Sequence, residues 1–160
     1  MTLTIRPATP DDVPTILLLV RELAVFERAP DAVDATEPML AEALFGVHPA
    51  AEAVLATRDG VAQGFALFFH NFSTWTGRRG LYLEDLYVTP EARGAGVGTA
   101  LLRHLAGIAL DRGCGRFEWA VLDWNQPAKA FYAQMGAELL DEWRIGRAAG
   151  DALVRLAGRG

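Results

Sequence analysis

The chain has 160 residues, of which 51% are hydrophobic and 22% charged, and its formal net charge is −5 at pH 7. This composition is typical of a globular domain with a sizeable core, and the acidic balance argues against a general nucleic-acid-binding protein. With no long apolar run, no readable secretory leader and a single cysteine, Cys114, we expect a cytoplasmic protein that binds neither nucleic acid nor membrane.

The first half of the chain predicts a strand, two helices and a β-hairpin. Thr9, Pro10 and Asp12 form a helix-start pattern, and apolar residues at helical spacing continue that helix to about Phe26. Asp59-Gly60 is a strong signal for the hairpin turn. In chain order we expect a strand at 3–6, helices at 13–26 and 38–45, and strands at 53–57 and 61–70.

The second half begins with the strongest predicted strand and ends in a second predicted hairpin. Asn125 is a plausible helix cap, with Pro127 in the first turn and Gly136 at the end. The expected elements are a strand at 81–88, a helix at 99–113, a strand at 116–121, a helix at 125–136, and hairpin strands at about 137–145 and 151–156. This order predicts an α/β fold, in a single domain over residues 1–160.

A glycine-rich turn separates the strand at 81–88 from the next helix. It lacks the lysine of a phosphate-binding loop, and Thr99 stands where a dinucleotide-binding loop requires glycine. A helix start attracts anions through its free N–H groups and its dipole, and alternating glycines cost backbone entropy that a simple connector need not bear. The turn therefore favours a pyrophosphate site over a merely flexible loop.

Two motifs in register resemble the GNAT family of acetyl-CoA-dependent N-acetyltransferases. One is Arg-x-x-Gly-x-Gly at 93–98, and the other is Asn-x-x-Ala-x-x-x-Tyr followed by glycine at 125–136. A narrower similarity, from Ile5 to Arg144, is to the diamine and polyamine acetyltransferases of the spermidine/spermine type. The resemblance implies the GNAT fold, a central mixed and strongly twisted sheet of about seven strands flanked by about four helices.

The same resemblance implies acetyl-CoA as co-substrate and direct attack by a primary amine in a ternary complex. Tyr132 matches the general acid, although a buried core aromatic is the alternative. Glu84 matches the base, with Asp85 as a cation-binding partner; the alternative is a solvated strand end or an ion pair with Arg78 or Arg79. Strand alternation would send the two carboxylates to opposite faces unless a bulge intervenes.

The resemblance implies coenzyme contacts in the stretches 86–88 and 93–99 and in the helix predicted at 125–136. The alternatives are that Asn125 only caps its helix and that Arg93 is only solvated. The implied residues are Leu86, Tyr87 and Val88 through their backbone, Arg93, Gly94, Ala95, Gly96, Val97, Gly98 and Thr99 on the loop, and Asn125 and Ala128 on the helix.

The amine site is implied at Phe26, Glu27, Glu84, Asp85 and Glu142. Phe26 stands where the resembling enzymes carry tyrosine, and the segment before Trp143 is about one residue shorter. The sequence therefore leaves the selectivity for polyamines open, and lysine-like amines are the other possible substrates. A protein or peptide acetyltransferase and a non-catalytic acyl-CoA-binding module are the alternative functions.

We expect no metal site, because His48, His70 and His104 are scattered and form no ligand pattern. The resemblance also implies a homodimer, to which the apolar predicted strand at 151–156 would contribute.

Overall fold

The structure, a computed structural model, describes residues 2–160, which form two units. The first unit, up to Trp124, contains β1 (Leu3–Pro7), α1 (Val13–Phe26), α2 (Glu37–Phe45), β2 (Glu52–Arg58), β3 (Val61–Ser73), β4 (Arg78–Val88), α3 (Val97–Asp111) and β5 (Phe117–Trp119). The second unit, Asn125–Gly160, contains α4 (Gln126–Gln134) and α5 (Asp151–Leu156).

The first unit is built on a five-stranded mixed sheet in the order β1-β2-β3-β4-β5. The pairs β1–β2, β2–β3 and β3–β4 are antiparallel, and β5 runs parallel to β4. Asp59 and Gly60 both have positive φ, 52° and 77°, as the tight hairpin turn predicted between β2 and β3 requires. The mixed sheet and the helices of this unit confirm the predicted α/β fold class.

The core of this unit lies between the sheet and its helices. Leu55 of β2 and Phe65 of β3 are fully buried in one cluster with Ile16 of α1. Leu101 and Leu105 of α3 are also fully buried. The apolar spacing along α1 and α3 therefore fixes which helix faces cover the sheet.

The predicted number of strands is too high, since the sheet has five strands where about seven were expected. Only Phe117–Trp119 of the strand predicted at 116–121 is paired. The C-terminal hairpin prediction is wrong: residues 137–150 are irregular, and Asp151–Leu156 is a helix. A short apolar run fits either period, and here Asp151 in the first turn and Arg155 in the last turn favour the helix through its dipole.

The second unit confirms the predicted start and end of its first helix. The Asn125 side chain caps α4, where its Oδ1 accepts a hydrogen bond of 3.2 Å from the Ala128 N–H. Gly136, with φ 91°, follows the last turn. None of the helices in residues 2–160 combines the length and the apolar character needed to cross a membrane.

Candidate active site

A β-bulge in β4 exposes the first of the predicted catalytic carboxylates. In the β3–β4 register, Leu67 pairs with Asp85 and Phe68 pairs with Leu83, so Glu84 is an extra residue in β4. The bulge breaks the alternation of the strand and leaves Glu84 exposed next to a half-buried Asp85. The bulge that the sequence analysis required for Glu84 and Asp85 to serve one site is therefore present.

Three of the predicted acidic residues form an electrostatic cluster, which we call the acidic cluster: Glu27, Glu84 and Asp85. Burial, together with the smaller effects of the Glu84 and Glu27 charges, raises the pKa of Asp85 to about 6. Burial and the Glu84 charge also raise the pKa of Glu27. Within residues 2–160 no cationic side chain forms an ion pair with these carboxylates, so the alternative pairing with Arg78 or Arg79 is absent.

Beyond the bulge, one edge of β4 has no neighbouring strand. The parallel pairing with β5 covers only Leu81 to Leu83, whereas β4 continues to Val88. Leu86, Tyr87 and Val88 therefore present backbone groups along an edge that no strand of the described chain occupies. Such an edge is open to a ligand with amide groups.

The glycine-rich loop ends in a helix start with free N–H groups. Gly94 and Gly96 have φ of 79° and 81°, a conformation that favours glycine, and Gly96 is the N-cap residue of α3. The backbone N–H of Ala100 bonds to the Gly96 carbonyl at 3.0 Å, and the preceding N–H groups, on Val97, Gly98 and Thr99, have no acceptor inside the helix. This start is two residues earlier than predicted, and its geometry suits an anion.

Arg93 ties this loop to β4. Its Nε donates a hydrogen bond of 3.2 Å to the Val88 carbonyl. Its Cζ lies 5.2 Å from the ring centroid of Phe26 and 5.7 Å from that of Tyr87. Arg93 is thus more than a solvated loop residue, while a contact with phosphate stays a prediction.

Three residues around Phe26 and Tyr87 were missed from the sequence: Glu22, Arg28 and Trp124. The Phe26 and Trp124 rings lie 6.5 Å apart, and the Arg28 Cζ lies 3.8 Å from the Trp124 ring centroid. Burial raises the pKa of Tyr87, and the charge of Glu22 raises it as well. The buried Oε2 of Glu22 has no hydrogen-bond partner in the described chain. The sequence could have indicated Glu22, because a carboxylate there interrupts the apolar pattern of α1. It could not have indicated the stacking of Arg28 on Trp124.

The remaining predicted site residues lie in the second unit. Tyr132 is buried on α4, with its ring 5.3 Å from that of Phe131, and Asn125 and Ala128 form the cap of the same helix. Glu142 is exposed in the irregular segment. Their catalytic and binding roles stay predictions. No group of three or more His, Cys, Asp or Glu side chains in residues 2–160 is arranged to hold a metal ion.

The open strand edge, the glycine-capped helix and the acidic cluster together suit a group-transfer enzyme with an anionic donor and a cationic acceptor. The model of the Acetyltransferase (GNAT) family matches residues 19–137. The chain therefore belongs to the GNAT family of acetyltransferases and is an acyltransferase, as the two motifs predict.

Similar proteins cover nearly the whole chain. A thialysine N-epsilon-acetyltransferase from Sus scrofa is 39% identical over 97% of this chain and 97% of its own. A spermidine/spermine N(1)-acetyltransferase-like protein from Homo sapiens is 34% identical over 96% of this chain but only 23% of its own. An integron cassette protein from V. cholerae has a solved structure with a TM-score of 0.81 and 30% identity, covering 98% of both chains.

Proposed function

We propose that the protein transfers the acetyl group of acetyl-CoA to a primary amine of a small cationic substrate, a diamine, a polyamine or a lysine-like amine. The observation that carries this proposal is the acidic cluster, where three carboxylates lie together without a cationic partner beside the open edge of β4. Neighbouring charges of one sign are costly unless a ligand of the other sign offsets them. An alkylammonium group is such a ligand.

The donor would lie along the open strand edge and the loop. The N–H groups of Val97, Gly98 and Thr99 would hold the pyrophosphate, and the backbone of Leu86 to Val88 would bond to the pantetheine arm. Arg93, fixed on the Val88 carbonyl, has further N–H groups for a phosphate. Gly94, Ala95 and Gly96 shape the loop, and Asn125 and Ala128 at the start of α4 are the remaining proposed contacts.

The proposed reaction is a direct attack in a ternary complex. The amine nitrogen forms a bond to the acetyl carbonyl carbon, and the carbon–sulfur bond breaks. Glu84 takes the proton that the amine releases, directly or through water, and Tyr132 gives a proton to the departing thiolate. The products are the N-acetylated amine and the free thiol of coenzyme A. Asp85, Glu27 and Glu142 attract the cationic substrate, and the Phe26 ring lines its path.

The relatives support a basic amine as acceptor, and their names include two kinds of basic amine. Thialysine carries a carboxylate besides its amines, whereas spermidine and spermine do not. We further propose that residues 1–160 act as one domain in a cytoplasmic homodimer. The family match runs across the boundary at Trp124, and the C-terminal unit exposes large apolar side chains that a second copy could cover: Leu140, Trp143, Ile145, Leu153 and Leu156.

A thiol-release screen with acetyl-CoA tests the proposed function. The acceptors are diamines, polyamines, lysine analogues and short peptides, and coenzyme binding is measured in parallel by calorimetry. We expect release with small basic amines. Release with peptides alone would indicate a peptide acetyltransferase, and coenzyme binding without any release would indicate a regulatory acyl-CoA-binding module.

Replacement of Tyr132 by phenylalanine tests the proposed acid. Because Tyr132→Phe removes only the hydroxyl, we expect kcat to fall about a hundredfold, while acetyl-CoA affinity stays within about twofold. Turnover and coenzyme affinity are measured on the same preparation. The Phe131→Leu variant, which alters the neighbouring ring, is the control, and an unchanged kcat in Tyr132→Phe would contradict the acid assignment.

A further inference from the structure

We propose that Arg28 forms a carboxylate subsite beside the acidic cluster, so that the preferred acceptors are amino acids with a side-chain amine. Diamines and polyamines, which have no carboxylate, would be poorer substrates. This inference rests on the proposed function and narrows its substrate class.

Arg28 lies next to the site in sequence and in space. Phe26, Glu27 and Arg28 are consecutive at the end of α1, and Glu27 belongs to the acidic cluster. The Phe26 ring and the Arg28 guanidinium both contact Trp124. The same turn therefore presents a carboxylate that attracts ammonium and, one residue on, a guanidinium that attracts carboxylate.

The Arg28 guanidinium is held in place without an ionic partner. Its Cζ lies 3.8 Å from the Trp124 ring centroid, a distance at which the cation is attracted to the ring. No acidic side chain of residues 2–160 forms an ion pair with it, although the nearby acidic cluster has unpaired carboxylates. A guanidinium fixed by one face keeps its N–H groups at the rim for two parallel bonds to a carboxylate.

The backbone at Arg28 is strained in a way that points to a role for its side chain. Arg28 has φ 63° and closes α1, where the Ala29 N–H bonds to the Ala24 carbonyl at 2.8 Å. Helices that close in this way usually have glycine at this position, because a side chain in the left-handed region destabilises the backbone. Arginine in place of glycine gives up that stability and gains a charged group at the site.

Matched acceptor pairs test the carboxylate subsite directly. Lysine with cadaverine, and ornithine with putrescine, differ only in the carboxylate. We expect the wild-type protein to have the higher kcat/KM for each amino acid. In Arg28→Gln the ratio of kcat/KM for lysine to that for cadaverine should fall about tenfold to a hundredfold, and Arg28→Lys should retain part of the ratio.

Two further variants separate this role from a structural one. Arg21→Gln removes an exposed charge from the same helix, and its lysine-to-cadaverine ratio should equal that of the wild type. Arg28→Gly relieves the backbone strain, so it should melt at or above the wild-type temperature and yet lose the ratio. A lower melting temperature with an unchanged ratio would show that Arg28 only stabilises the helix end, and would overturn the inference.

Other results would overturn the inference while the proposed function stands. One is a wild-type protein that acetylates cadaverine as well as lysine, with no change of ratio in Arg28→Gln. Another is an Arg28→Gln variant whose KM for acetyl-CoA rises while the ratio is unchanged, since the guanidinium would then bind the coenzyme. Release of thiol with none of the amines would instead overturn the proposed function, and the inference with it.

Discussion

Two groups of carboxylates in the first unit have opposite electrostatic surroundings. Glu52, at the start of β2, accepts two hydrogen bonds from Arg112, at 2.6 and 2.9 Å, and this pairing lowers its pKa. In the acidic cluster, burial and like charges raise the pKa of Asp85 to about 6 and also raise the pKa of Glu27. Glu52 is paired in the folded chain, whereas the acidic cluster has no cationic partner among the described residues.

The surroundings of Arg112 show what a complete pairing looks like. Its Nη1 also donates to Nε2 of His70 at 3.0 Å, which requires that ring nitrogen to be unprotonated, and Nδ1 of His70 lies 3.0 Å from the Gly80 carbonyl. Arg112, Glu52 and His70 thus each have hydrogen-bond partners in the folded chain. In the part of the chain that the structure describes, the acidic cluster has no cationic partner of this kind, which makes its carboxylates candidates for a ligand site.

The largest expected effect is on catalysis. Glu84→Gln removes the proposed base without changing its shape, and we expect kcat/KM for the amine to fall about a hundredfold to a thousandfold. Glu52→Gln is the matched control and should stay within about twofold, because it lies in the paired region. Thiol release over a range of pH measures both. Equal losses in the two variants would remove the functional distinction between the regions.

The next effect is on stability, where the two regions should respond to pH with opposite sign. The folded-state pKa of Asp85 lies above its ordinary 3.8, at about 6, so folding takes up a proton between these values and the fold loses stability as pH rises through them. Asp85→Asn removes this cost and should stabilise the protein by about 2 to 3 kcal/mol at pH 8, with little difference near pH 4.

Glu52 should show the reverse behaviour in the same denaturation series. Its pKa is lowered from 4.5, so its contribution is present above that value and is lost as pH falls toward the folded-state pKa. Since its side chain is 46% exposed, we expect Glu52→Gln to cost only about 0.5 kcal/mol at neutral pH. A destabilised Asp85→Asn at pH 8 would show that this carboxylate is needed for folding.

Local patterns predicted the parts of the site that depend on neighbours in sequence. The predicted glycine-rich loop is present, with positive φ at Gly94 and Gly96, and the helix predicted after it is α3. The sequence analysis could name the bulge only as a requirement and could not predict it. A residue is extra only relative to the register of the facing strand. The structure supplies that register.

Tertiary contacts explain what sequence reasoning missed. Trp124 and Arg28 are far apart in the chain and meet only after folding, so no motif contains both. The C-terminal hairpin failed for another reason. Residues 151–156 are too few to distinguish a period of two from one of 3.6, and the charges at the ends of α5 favour the helix.

The smallest expected effect tests which cause dominates at Asp85. Glu27→Gln removes one of the two neighbouring charges but leaves the burial of Asp85, which is the largest cause of its raised pKa. We therefore expect the pKa of Asp85 to fall by a fraction of a unit and to stay above 3.8. Carbon-detected NMR titration of the Asp85 carboxyl measures it.

The control for this titration comes from the paired region. Glu52→Gln removes a charge of the same sign that does not contribute to the raised pKa of Asp85, so the titration midpoint should not move. If Glu27→Gln instead returned Asp85 to its ordinary value, charge repulsion rather than burial would be the dominant cause. Asp85 would then be a solvated carboxylate held near like charges, and a bound ammonium group would lower its pKa without any exclusion of water.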